Sequence, residues 1–161
     1  MAQEMPFPNI NRLESKMTDA KDLKVYFEET KWFGVLSTSN TSGEANAAVY
    51  SRPHVMDDGS LAIIMNDRLS HKNVLGNGKA HYLFMESGPG YKGKRLSLTM
   101  LREEEDTELL HDLCRRCHPK ELELKESKRF LVFFNIDKEL PLIGVNWDNI
   151  AVWDWFSLQL S

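Results

Sequence analysis

At 161 residues, the chain has the size of one ordinary domain, so a single domain over 1–161 is expected. Hydrophobic residues make up 42% and charged residues 27%, a globular balance that disfavours disorder, and no run approaches the ~20 apolar residues of a membrane span. The formal charge of −4 offers no basic face for nucleic acid, and the compact cluster Lys92, Lys94 and Arg95 suits a small anion better than a duplex.

Residues 1–16, with Pro6 and Pro8, read as an N-terminal arm. They hold charges and no apolar h-region, so no signal peptide is read and the expected location is the cytoplasm. There, the two cysteines are expected as free thiols. Thr18 is a candidate N-cap, Asp19 and Asp22 favour the first turn, and Leu23, Tyr26 and Phe27 fall at helical spacing, predicting a helix over Asp19 to Thr30.

From Trp32 the period becomes strand-like, through Thr38. The turn Asn40 to Gly43 leads to a second strand over Asn46 to His54, and Asp57-Asp58-Gly59 leads to a third over Leu61 to Met65. These three are expected to form an antiparallel meander. Ser70 is placed as the cap of a short helix, His71 to Leu75, closed by Gly76 and Gly78. A fourth strand covers Ala80 to Glu86, and a fifth, Tyr91 to Leu101, alternates across Leu96, Leu98 and Met100. The acidic block Glu103 to Asp106 reads as a helix start leading to Leu109, Leu110 and Leu113, with Pro119 interrupting. Phe130 to Ile136 is a sixth strand, and the tail carries Trp147, Trp153, Trp155 and Phe156. The pattern predicts a mainly β protein with peripheral helices, and strands that do not alternate with helices argue against a doubly wound α/β fold.

The segment Asn66-Asp67-Arg68-Leu69-Ser70-His71-Lys72-Asn73 follows a strand and opens a helix. A helix N-terminus presents unpaired N–H groups at the positive end of a dipole, which favours phosphate. Ser70, His71 and Lys72 add donors and charge. The plainer reading is a capped surface helix whose Lys and His face water.

The order of elements carries further information: Gly43 turn, strand, Asp58-Gly59 turn, strand, Ser70-His71-Lys72 at a helix start, strand, then Gly88-Pro89-Gly90 into a long strand. This order resembles the FMN-binding split-barrel family, the pyridoxamine 5′-phosphate oxidase-like proteins, over Trp32 to Arg102. The resemblance implies a six-stranded antiparallel split β-barrel, an FMN cofactor, a homodimer and a flavin-dependent oxidoreductase. It places Ala48, Val49, Tyr50 and Ser51 along the flavin, Met65 and Asn66 beside ring and phosphate, and Ser70, His71, Lys72 and Asn73 at the phosphate. Lys94 and Arg95 would approach the flavin of the partner subunit. His71 stands where the family usually has Arg, which removes a planar bidentate donor. No Arg-x-His pair lies between Leu140 and Ser161, which argues against vitamin B6 as substrate. No catalytic acid or base stands out.

Cys114-Arg115-Arg116-Cys117-His118 matches C-x-x-C-H, the c-type haem attachment pattern. Its place late in a helix, without an export signal, favours structural use over haem attachment or a redox pair. His111, Cys114 and His118 could share a helical face as zinc ligands, but no second cluster completes a tetrahedral set, so no metal is expected. The rival to the flavin reading is a non-enzymatic haem- or ligand-binding protein on the same barrel.

Overall fold

In a computed structural model, residues 17–105, 107–117 and 128–143 are described, with side chains from 115 to 117 excepted. The arm, His118, Pro119 and the tryptophans of the tail lie outside them.

Helix α1 spans Ala20–Glu29 and buries Leu23 and Phe27. Its N-cap is Asp19, whose carboxylate accepts from the Lys21 N–H at 2.9 Å, and not Thr18 as expected. Thr18 is drawn away: its N–H and hydroxyl both donate to Glu139, at 2.9 and 2.6 Å. Strands β1 (Trp32–Ser39) and β2 (Ala45–Val49) form the expected hairpin. Within its turn, the Asn40 side chain accepts from the N–H groups of Ser42 and Glu44. The second strand ends at Val49 rather than His54, and the two-residue β3 (His54–Val55) pairs with β4 (Leu61–Asn66).

The expected three-strand meander does not form. The seven described strands lie in the order β2-β1-β5-β6-β7-β4-β3, with β5 (Lys79–Glu86), β6 (Gly93–Glu105) and β7 (Arg129–Pro141) between the two hairpins. The pairings among the described strands are all antiparallel, and the sheet is not closed. The six expected strands are present, and β3 is the seventh. Strand β7 pairs with both β6 and β4, and Leu131, Val132, Phe133 and Phe134 are all buried. Such a continuous apolar run marks a strand covered on both faces. Val132 and Phe134 enter the main core with Leu36, Ile63, Met65, Tyr82, Phe84 and Leu96. Leu131 and Phe133 face a second cluster with Leu110, Leu113 and Cys114 of α3 (Glu108–Cys117). Cys114 is a free thiol buried there.

Glu103 to Glu105 do not begin a helix. They continue β6 opposite Val132, Leu131 and Phe130, after a register shift between Met100 and Arg102. Among the described residues, no helix is long and apolar enough to cross a membrane.

Candidate functional site

Helix α2 spans Leu69–Asn77 and joins β4 to β5. It is longer than the sequence suggested, and Gly76 lies inside it. Gly78 alone ends it, in the left-handed conformation at φ 71°, with its N–H donating to the Val74 carbonyl at 2.7 Å. Its N-cap is Arg68, in extended backbone without a side-chain cap bond. Ser70 therefore sits within the first turn and does not cap it.

The helix is fastened by polar contacts. Ser70 is buried, and its hydroxyl accepts from Asn46 Nδ2 at 3.0 Å. Asn73 donates to the Thr38 hydroxyl at 3.2 Å, and Asn77 donates to the Ser39 carbonyl at 2.6 Å. The His71 ring is 2% exposed and stacks on Phe130 at 4.1 Å with a 17° tilt. His71 Nε2 lies 2.6 Å from a Glu103 carboxylate oxygen, and Nδ1 lies 3.6 Å from Asp67 without a hydrogen bond. These contacts bind α2 to β1, β2, β6 and β7, so that its first turn stands at a fixed place beside the end of β2.

Three N–H groups, of Leu69, Ser70 and His71, precede the first helical bond, Lys72 N–H to the Arg68 carbonyl at 3.0 Å. They have no acceptor within the helix. No acidic side chain lies in that turn, and Arg68 and Lys72 flank it, both exposed. A cation at a helix N-terminus opposes the dipole, at a cost of about 0.3–1 kcal/mol each. An anion would reverse the sign of that term.

Beside this turn, Tyr50 is half-buried, and its N–H donates to the Gly34 carbonyl at 3.1 Å. Burial raises the pKa of its phenol, while a hydrogen bond from Ser70 and the charge of Arg68 act the other way. The Ser51 carbonyl accepts from the Tyr82 hydroxyl at 3.0 Å, which fixes the chain after β2. Asn46, Tyr50, Arg68, Ser70 and Lys72 thus form one polar neighbourhood.

The remaining expected residues differ in how far they are buried. Ala48 is half-buried, and Val49 is exposed. Met65 is wholly buried in the core, so only its backbone could meet a ligand. Asn66 is half-buried at the end of β4. The Lys94 ammonium is bound by Glu139 and by the Thr18 hydroxyl, and lies 5.0 Å from the Tyr26 ring centre. Arg95 Nε donates to the Pro141 carbonyl at 2.9 Å. Both cations are thus held by contacts within their own chain. Sequence reasoning does not single out Asn46 or Arg68. Arg68 belongs to the segment around Ser70, and its N-cap position is what separates it from its neighbours. A separate cleft of about 170 Å³ between α1, residues 52–57 and α3 shares no lining residue with the α2 turn.

Solved structures share the overall fold of this open antiparallel sheet. An FMN-binding protein from Syntrophomonas wolfei subsp. wolfei superposes with a TM-score of 0.60 at 19% identity, over 79% of this chain and 88% of that one. The chain has the split-barrel fold of the pyridoxamine 5′-phosphate oxidase-like proteins. HupZ from Group A Streptococcus shares this split barrel with a TM-score of 0.59 at 15% identity, over 80% and 96% of the two chains. HutZ, a haem storage protein from Vibrio cholerae, does so with 0.54 at 15%, over 78% and 95%. No protein-family model matches the sequence, and no curated protein matches it.

Proposed function

We propose that this split barrel binds FMN by its phosphate at the first turn of α2, as a cytoplasmic homodimeric flavoprotein of the oxidoreductase class. The observation that carries this reading is the turn itself: three N–H groups without helical acceptors, no acidic side chain, and the exposed Lys72 beside them. These features fit a phosphate, and helix N-termini are suited to that role. The backbone of Ala48 to Ser51, adjoining the turn through Tyr50 and Ser70, would lie along the ribityl chain and ring, with Asn66 at the end of β4 nearby. Bound flavin supplies hydride or electron chemistry, and the protein supplies orientation and electrostatics. The chain's own part is to hold the phosphate and to keep the strand end in place.

The visible spectrum of the purified protein, before and after added FMN, tests this. Flavin bands that stay with the protein through gel filtration are expected. A Soret band without flavin bands would transfer the argument to haem, the ligand in the name of the Vibrio cholerae protein. Lys72→Ala removes one charge-assisted contact, with an expected loss of about tenfold in FMN affinity, equivalent to about 1.4 kcal/mol. Unchanged affinity in a titration would overturn the assignment of Lys72.

A further inference from the structure

We propose that Arg68, rather than His71, is the second cationic grip on the ligand's phosphate, and that His71 is a positioning residue. The inference rests on the phosphate site proposed at α2 and names its side-chain donors.

His71 is turned inward. Its Nε2 is engaged by Glu103, one face of the ring is covered by Phe130, and Nδ1 points toward Asp67. Nε2 is occupied at 2.6 Å, and Nδ1 is buried against the Asp67 carboxylate, so neither ring nitrogen is open to a phosphate where the ring stands. The geometry suits a structural role instead, in which one imidazole holds the first turn of α2 against β6 and β7.

Arg68 and Lys72 have the opposite character. They stand four residues apart, at the N-cap and in the first turn, so they occupy one side of the helix start. Both are exposed, and neither forms an ion pair among the described residues. Other cations are committed: Lys94 to Glu139, Lys79 to Asp137, Arg102 to Glu104 and Lys128 to Glu105. The adjacent carboxylate, Asp67, faces His71 at 3.6 Å. Two like charges at i and i+4 repel each other, and both oppose the helix dipole. An anion seated on the free N–H groups between them removes both penalties at once. The Arg68 charge is also felt at the Tyr50 phenol, which places it on the β2 side of the turn. Arg68 brings a planar, forked set of donors suited to a phosphate.

The test compares wild type, Arg68→Gln and His71→Asn in three measurements: FMN affinity, riboflavin affinity, and thermal stabilisation by inorganic phosphate against chloride at matched ionic strength. Riboflavin lacks the phosphate, so the ratio of the two affinities isolates the grip. Arg68→Gln is expected to lose about tenfold in FMN affinity with riboflavin unchanged, to lose the phosphate stabilisation, and to melt no lower than wild type without ligand. His71→Asn is expected to melt lower, with its FMN-to-riboflavin ratio kept. An unchanged ratio in Arg68→Gln, or a ratio lost in His71→Asn, overturns the inference. If wild type binds neither flavin, the flavin reading fails by itself, and the phosphate measurement still decides. Stabilisation present in wild type and absent in Arg68→Gln supports the grip, and stabilisation that is equal in both or absent from wild type refutes it.

Discussion

At Gly34, a β-carbon would lie 2.0 Å from the Tyr82 hydroxyl oxygen and 2.8 Å from Tyr82 Cζ. The missing side chain is what lets the phenol pass across β1 and reach the Ser51 carbonyl at 3.0 Å. Tyr82 is fully buried, so its ring has little room to yield. Burial also raises its hydroxyl pKa, which keeps the group a neutral donor. Gly34→Ala should therefore destabilise the fold by about 1–3 kcal/mol, the range of a core overpacked by one methyl group. Urea unfolding followed by circular dichroism measures this. A variant with the wild-type midpoint would show that the ring moves freely and that the bond to Ser51 contributes little. The consequence reaches the site, because Tyr82 and the Gly34 carbonyl together hold residues 50 and 51 beside α2.

Helix α2 shows where a sequence is hard to read at the level of one element. Its existence was legible from the segment around Ser70, but its end reads two residues early, at Leu75, because Gly76 continues the helix and only Gly78 closes it. Its burial was not legible, because Ser70, His71 and Asn73 are polar and yet lie inward with Val74. Their partners, Asn46, Glu103 and Thr38, are 24 to 35 residues away in the chain, and no local pattern reports such bonds. The same holds for Thr18, whose distant partner Glu139 outweighs its local role as a cap. That partnership ties α1 to β7 and, through Lys94, to β6. Burial pushes the Glu139 pKa up, but bonds from Lys94 and Thr18 outweigh it and hold the carboxyl below its ordinary value of 4.5. With the folded pKa depressed, the stabilisation is present above the unfolded value and is lost as pH falls through the folded one. Wild type should exceed Glu139→Gln in stability by about 1.5–3 kcal/mol at pH 7, as for a hydrogen bond to a charged group. That gap should shrink below about pH 4.5, the ordinary glutamate range. Denaturant melts at pH 7, 5 and 3.5 measure it, and a gap independent of pH would remove the carboxylate from the account.

On the scale of the whole molecule, the β1–β2 hairpin was readable because its turn chemistry is local, whereas the placement of β4 was not. The sequence suggested that β4 would follow its neighbour in space, but β4 lies across the sheet beside β7, the strand whose apolar run can be covered on both faces. Pairing is set by which faces can be buried together, a property of distant segments. The same register exposes an outer face: Val49, Val35 and Leu83 align across β2, β1 and β5, and Phe33 lies opposite Met85 in the next row. Val49 is 68% and Phe33 45% exposed. A contiguous apolar row of this kind on a sheet suits contact with another molecule, and the proposed homodimer would bury it. Val49→Asp places a charge in that row without touching the core, so the variant should keep its circular dichroism spectrum and lose self-association. Light scattering coupled to gel filtration should give about 37 kDa for wild type, twice the 18.6 kDa chain, and the chain mass for the variant. A wild type already at the chain mass would remove the homodimer from the proposal, and a variant still at twice that mass would move the interface to another face.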